Sequence, residues 1–137
     1  MNHYTFDEIE IGQSESFTVE ITTESQDAFR EITGDINPLH MDINYAKEKG
    51  HAKCVVFGML TASYYSTLAG VYLPGERSLI HRVNSKFMKP VYIGDTLTIE
   101  GTVTDKNDTF QMITVKAVIK NQNGVKVSKA ELQIGII

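Results

Sequence analysis

The chain has 137 residues, 42% of them hydrophobic and 22% charged, a globular balance that excludes a disordered chain. The formal net charge is −4, which argues against nucleic acid as the main partner because phosphate binding wants a basic face; a small anionic ligand held by a few local Lys or Arg stays compatible. The length suits one core, so residues 1–137 are read as a single domain.

The only cysteine, Cys54, excludes an internal disulfide and a multi-cysteine zinc site. The opening "MNHYTFDEIEIG" lacks a basic segment leading into an apolar run, so no secretory signal is expected. No apolar run reaches the roughly 18 residues a transmembrane helix needs. A cytoplasmic protein is the expectation.

In chain order, "ESFTVEIT" (15–22) reads as a strand. "TESQDAFREIT" (23–33) reads as a helix with Ala28, Phe29 and Ile32 at helical spacing. Thr23 with Gln26 fits a capping box, and Gly34 fits the position just past the helix end. A polar loop follows from Asp35 to Asp42, then a short helix, "NYAKEKG", ending near Gly50.

The stretch from Gly58 to about Tyr72 carries no charge and little polar surface. A helix apolar on all sides in a non-membrane protein is expected to be buried, and Pro74-Gly75 marks its end. Strand patterning begins after residue 77. In "SLIHRVNSKFMKPVYIG", Pro90 and Gly94 predict an irregular edge or bulge. In "TLTIEGTVTDK", Leu97, Ile99 and Val103 fall on one face and Thr96, Thr98 and Glu100 on the other. "NQNG" joins two further strands. The plan is α+β: an antiparallel sheet wrapped around a long buried helix.

Three segments in this order resemble a known family, the MaoC-like, R-specific enoyl-CoA hydratases of the hot-dog fold. "TGDINPLHMD" (33–42) is similar to the family's hydratase motif, an Asp, then Asn-Pro, then a His five residues after the Asp. "VVFGMLTASYYSTLAG" (55–70) resembles its central helix with a Gly-Met-Leu opening, and "SKFMKPVYIGDTL" (85–97) its Phe-x-x-Pro-Val-x-x-Gly-Asp strand entry. The family often has His-Gly where this chain has Phe57-Gly58, and often Pro where it has Cys54. The first departure leaves a backbone role for Gly58 intact, since an N–H does not depend on the preceding side chain.

The resemblance implies addition of water to a trans-2-enoyl thioester of CoA or acyl-carrier protein, giving an R-3-hydroxyacyl thioester without a cofactor. Such a reaction needs a base for water, an acid for the α-carbon and a donor for the enolate oxygen. Asp35 and His40 fit the first two roles by sharing one water. Asn37-Pro38 would fix the bend that lets them converge, because Pro restricts itself and the residue before it. Gly58, at the helix N-terminus, fits the third. Position matching to the family brings in Ser66 as a supporting hydroxyl.

The plainer readings are turn chemistry for Asp35 and Asn37, a structural histidine for His40, and a hydroxyl bonded to the preceding helical turn for Ser66. Lys86 and Lys89 are candidates for substrate phosphate, against ordinary solvated strand charge. Tyr64, Tyr65 and Ala69 are candidates for the acyl pocket. His3, His51 and His81 read as surface or structural residues without metal-ligand spacing. The resemblance further implies a homodimer with a continuous sheet and an active site at its interface.

Two other classes compete. A hot-dog thioesterase would need a carboxylate on or beside the central helix, and residues 58–72 contain none. A non-catalytic acyl-thioester-binding protein would have no need of both Asp35 and His40.

Overall fold

A computed structural model describes residues 1–137. β1 (Ser14–Glu20) leads to α1 (Thr23–Thr33), a 3-10 turn (Pro38–His40), α2 (Ile43–Glu48) and α3 (Gly58–Thr67). Four strands follow: β2 (Ser78–Phe87), β3 (Thr96–Asn107), β4 (Met112–Lys120) and β5 (Lys126–Ile136). The sheet is antiparallel throughout, in the order β1-β3-β4-β5-β2. This is the α+β plan that the sequence pattern predicts, in the hot-dog arrangement that the family resemblance implies.

The period-2 alternation explains which face meets the helix. Leu97, Ile99 and Val103 of β3 are buried together with Ile113, Val115 and Ile119 of β4 and Leu132 and Ile134 of β5. α3 and the turn that continues it lay Leu60, Tyr65 and Leu68 on that face. Each such side chain contributes about 1.5–3 kcal/mol by leaving water. The helix comes very close at Gly101: a Cβ there would lie 2.6 Å from Leu68 Cδ2. Only glycine lets β3 and the helix approach this far.

α3 is not buried all round, as its composition suggested. Met59, Ser63 and Ser66 are exposed, because the sheet covers one side of the helix only. Helical backbone continues to Tyr72 as expected, but Leu68–Tyr72 is a wider π turn.

Three local expectations shift. The residue capping α1 is Thr22, not Thr23: its backbone is still extended (φ −103°, ψ 162°), and its side chain pairs with Ser25, not Gln26. Ala28 and Ile32 do not form a buried stripe. Ile32 is 82% exposed, while Gln26 is buried. The irregularity in β2 falls at Ile80/Arg82, and the strand ends at Phe87, before Pro90. The positions of Gly34 (φ 72°, closing α1) and Gly124 (φ 72°, in the "NQNG" turn) agree with the sequence reading. No helix is long and apolar enough to cross a membrane.

Candidate active site

The loop after α1 folds on its own side chains. Asp35 Oδ1 accepts from the Asn37 N–H at 3.0 Å, and Asn37 Oδ1 accepts from the Leu39 N–H at 3.0 Å. Two successive Asx-type turns thus lead into the 3-10 turn, with Pro38 at its first position. The turn chemistry is real, and its effect is to deliver His40 inward while Asp35 stays exposed.

His40 is fixed from two sides. Its Nδ1 lies 2.7 Å from the Val55 carbonyl. A carbonyl only accepts, so in the neutral ring Nδ1 carries the proton and Nε2 keeps its lone pair. The ring also packs on Phe57, with centroids 4.2 Å apart at 36°. Phe57, 2% exposed, is backed in turn by Phe29 at 5.1 Å. Where the family often has histidine, this chain has an aromatic support for the imidazole.

His40 and Gly58 line one cavity of about 320 Å³, together with His51, Thr61, Phe87 and Lys89. Gly58 opens α3, and neither its N–H nor that of Met59 has an acceptor within the chain. Two donors and the positive end of a helix therefore stand unpaired at the start of α3. A Cβ at Gly58 would meet the Phe87 ring at 3.4 Å, an ordinary van der Waals contact, so the ring flanks the start of α3 closely. No carboxylate lines this cavity. A second depression of about 240 Å³ lies on the other side of His40, beside Met41 and Cys54.

The other candidates separate. Lys89 lines the main cavity, whereas Lys86 lies in a different depression, with Lys116 and Lys129. Tyr65 is fully buried behind the cavity, its hydroxyl 2.8 Å from Ser128 Oγ; burial pushes its pKa up, partly offset by that bond. Tyr64 is half-buried, and burial raises its pKa too. Ala69 is in the core, packed away from the cavity. Ser66 is exposed on the open side of α3 and lines no described cavity. Within one chain, then, His40, Gly58 and Lys89 come together, and Asp35, Ser66 and Lys86 stay apart from them.

The sequence reading named Lys89 but missed His51, Thr61, Phe87, Met88, Pro90 and Val91, all on the cavity wall. For the last four there was a signal, the Phe-x-x-Pro-Val segment. For Thr61, one helical turn after Gly58 and 2% exposed, helical spacing from Gly58 was the available clue.

The family model described as "MaoC like domain" matches residues 7–125. The chain is 33% identical over 116 residues to the (R)-specific enoyl-CoA hydratase of Aeromonas caviae, covering 85% of this chain and 87% of that one. It is 36% identical over 102 residues to the (R)-specific enoyl-CoA hydratase of Rhodospirillum rubrum, covering 74% and 70%. Among solved structures it is similar to the (R)-hydratase from A. caviae involved in PHA biosynthesis, with a TM-score of 0.89, 30% identity and coverage of 94% and 98%. The chain belongs to the MaoC-like domain family.

Proposed function

We propose that this protein is an R-specific hydro-lyase that adds water to a trans-2-enoyl thioester and, in reverse, dehydrates an R-3-hydroxyacyl thioester. One observation carries the reading most: the free Nε2 of an oriented His40 and the unpaired Gly58 N–H belong to the same cavity. The R configuration follows the activities that the A. caviae and R. rubrum relatives are named for.

The step balances as follows. Water oxygen bonds to C3 of the enoyl group while its proton passes to His40 Nε2. The electron pair of the C2–C3 double bond moves into the thioester as an enolate, and the Gly58 N–H stabilises the oxygen. One such donor is typically worth roughly 3 kcal/mol in the transition state. The imidazolium then returns the proton to C2, so that H and OH from one water have added to the double bond. Asp35 accepts the second hydrogen of that water and orients it, Asn37 holds the turn, and Ser66 supports the pair. Lys89 faces the phosphate-bearing carrier, CoA or acyl-carrier protein, with Lys86 further along it. The cavity, at about 320 Å³, favours a short acyl group.

We further propose a cytoplasmic homodimer of single-domain chains. β2 is an edge strand, and its Leu79, Val83 and Phe87 are exposed. Ile32, Ile36 and Met59 add exposed apolar surface around Asp35 and the start of α3. A second copy on this side would remove an aggregation-prone edge and enclose Asp35 and Ser66.

Incubation with crotonyl-CoA separates the readings. Loss of the enoyl absorbance without free thiol supports the hydratase. Release of free thiol indicates a thioesterase, against which stands the absence of a carboxylate on the cavity wall. Neither change leaves an acyl-thioester-binding protein.

A further inference from the structure

Gln26 is the one residue of α1 that is buried, at 4% exposure. Its amide touches three separate segments. Oε1 accepts from the Phe57 N–H at 3.2 Å, and Nε2 donates to the Val55 carbonyl at 3.3 Å and to the His40 carbonyl at 3.5 Å. The orientation of the amide is unambiguous, because the Phe57 N–H can only donate and the two carbonyls can only accept. The two Nε2 contacts are long, so neither is strong alone. Burial raises the stakes, since each of these groups has little water to turn to.

The three partners are the parts of the site. His40 is the imidazole residue. The Val55 carbonyl is the acceptor that selects its tautomer. Phe57 supports the ring and immediately precedes Gly58. We infer that Gln26 is a positioning residue that holds the His40 loop, the Val55 carbonyl and the start of α3 in one register, thereby fixing the Nδ1–H tautomer of His40 and the distance from Nε2 to the Gly58 N–H. The catalytic part of this inference rests on the hydratase reading; the tautomer part does not.

Two substitutions separate the contacts. Gln26→Met keeps the side-chain volume and removes both donor and acceptor. Gln26→Glu keeps an acceptor for the Phe57 N–H but faces the Val55 and His40 carbonyls with an oxygen. In the intact protein, 15N NMR of the imidazole should show His40 as a single Nδ1–H tautomer. In both variants the two nitrogen shifts should move toward each other, and exchange of the Nδ1 proton with solvent should speed up at least tenfold. With crotonyl-CoA, kcat should fall by roughly ten- to a hundredfold, KM by less than about threefold in either direction, and Tm by no more than about 8 °C, the range of a modest local loss. His40 signals and exchange unchanged in both variants overturn the inference whatever the activity. A mixed tautomer already present in the unsubstituted protein overturns it as well. If the unsubstituted protein does not hydrate crotonyl-CoA, the hydratase reading fails while the NMR comparison still decides the tautomer role of Gln26.

Discussion

The two ends of the Asp35–His40 loop are held very differently. His40 is clamped by the Val55 carbonyl, stacked on Phe57 and tied through its own carbonyl to buried Gln26. Asp35 is exposed and bonded only within its turn, its carboxylate to the Asn37 N–H and its N–H to the Thr33 hydroxyl. Five residues therefore separate a group prearranged by one chain from a group whose surroundings one chain leaves open. The contrast explains why the site looks half built: the imidazole, the unpaired helix donors and the cavity belong together, and the carboxylate lies in an exposed stretch with Ile32 and Ile36.

The strongest way to break this contrast is to remove each group in turn. His40→Gln and Asp35→Asn should each reduce hydration of crotonyl-CoA by roughly 10²–10⁴-fold, the usual range for a positioned acid or base. Each variant should fold, and the double variant should be barely worse than either single one, because groups acting on one water fail together. An Asp35→Asn protein near full activity would show that the exposed carboxylate is only a turn residue.

Much of the loop was legible because its chemistry is local. Asx turns, Pro at the first position of a turn and a glycine ending α1 all follow from residue types and short spacings. What the sequence did not disclose is set by tertiary contact. Gln26 looks like a helix-capping residue by spacing from Thr23, yet the chain is still extended at Thr22, the cap moves back by one, and Gln26 turns inward. Ile32 fits an apolar stripe by period, but no part of the sheet reaches it. His51 carries no motif, and only the fold brings it to the cavity wall.

The open face gives the next test. Val83→Glu places a charge in the exposed apolar row of edge strand β2. It should yield a folded monomer by light scattering and circular dichroism, with hydration reduced at least about tenfold, since a charge in an apolar interface is costly to desolvate. A monomer with full activity would mean that the site is complete in one chain.

A smaller effect is expected at the helix entrance. Gly58→Ala keeps the N–H but adds a methyl 3.4 Å from Phe87. It should lower kcat/KM by roughly tenfold, about 1.4 kcal/mol. Adding Phe87→Leu relieves the ring contact. Activity should nevertheless stay low, because the methyl also blocks the approach of a carbonyl to the donor. Full recovery in the double variant would assign the loss to Phe87 instead.

The smallest catalytic change is expected at Phe57, although it touches His40 directly. Phe57→His introduces the residue that the family resemblance implies at this position. The backbone N–H that serves an oxyanion is that of Gly58, and it does not change. An imidazole also keeps a flat ring against His40. What changes is the interior: Phe57 is 2% exposed and packed on Phe29, so at least one ring nitrogen would be buried without a partner, at a cost of about 1–3 kcal/mol. The expected result is therefore a lower Tm with kcat/KM for a short enoyl-CoA within tenfold of the unsubstituted protein. A gain above about tenfold, or roughly 1.4 kcal/mol of transition-state stabilisation, would move the effect from the Gly58 backbone to the side chain before it. The aromatic support of His40 would then be a substitute that costs activity.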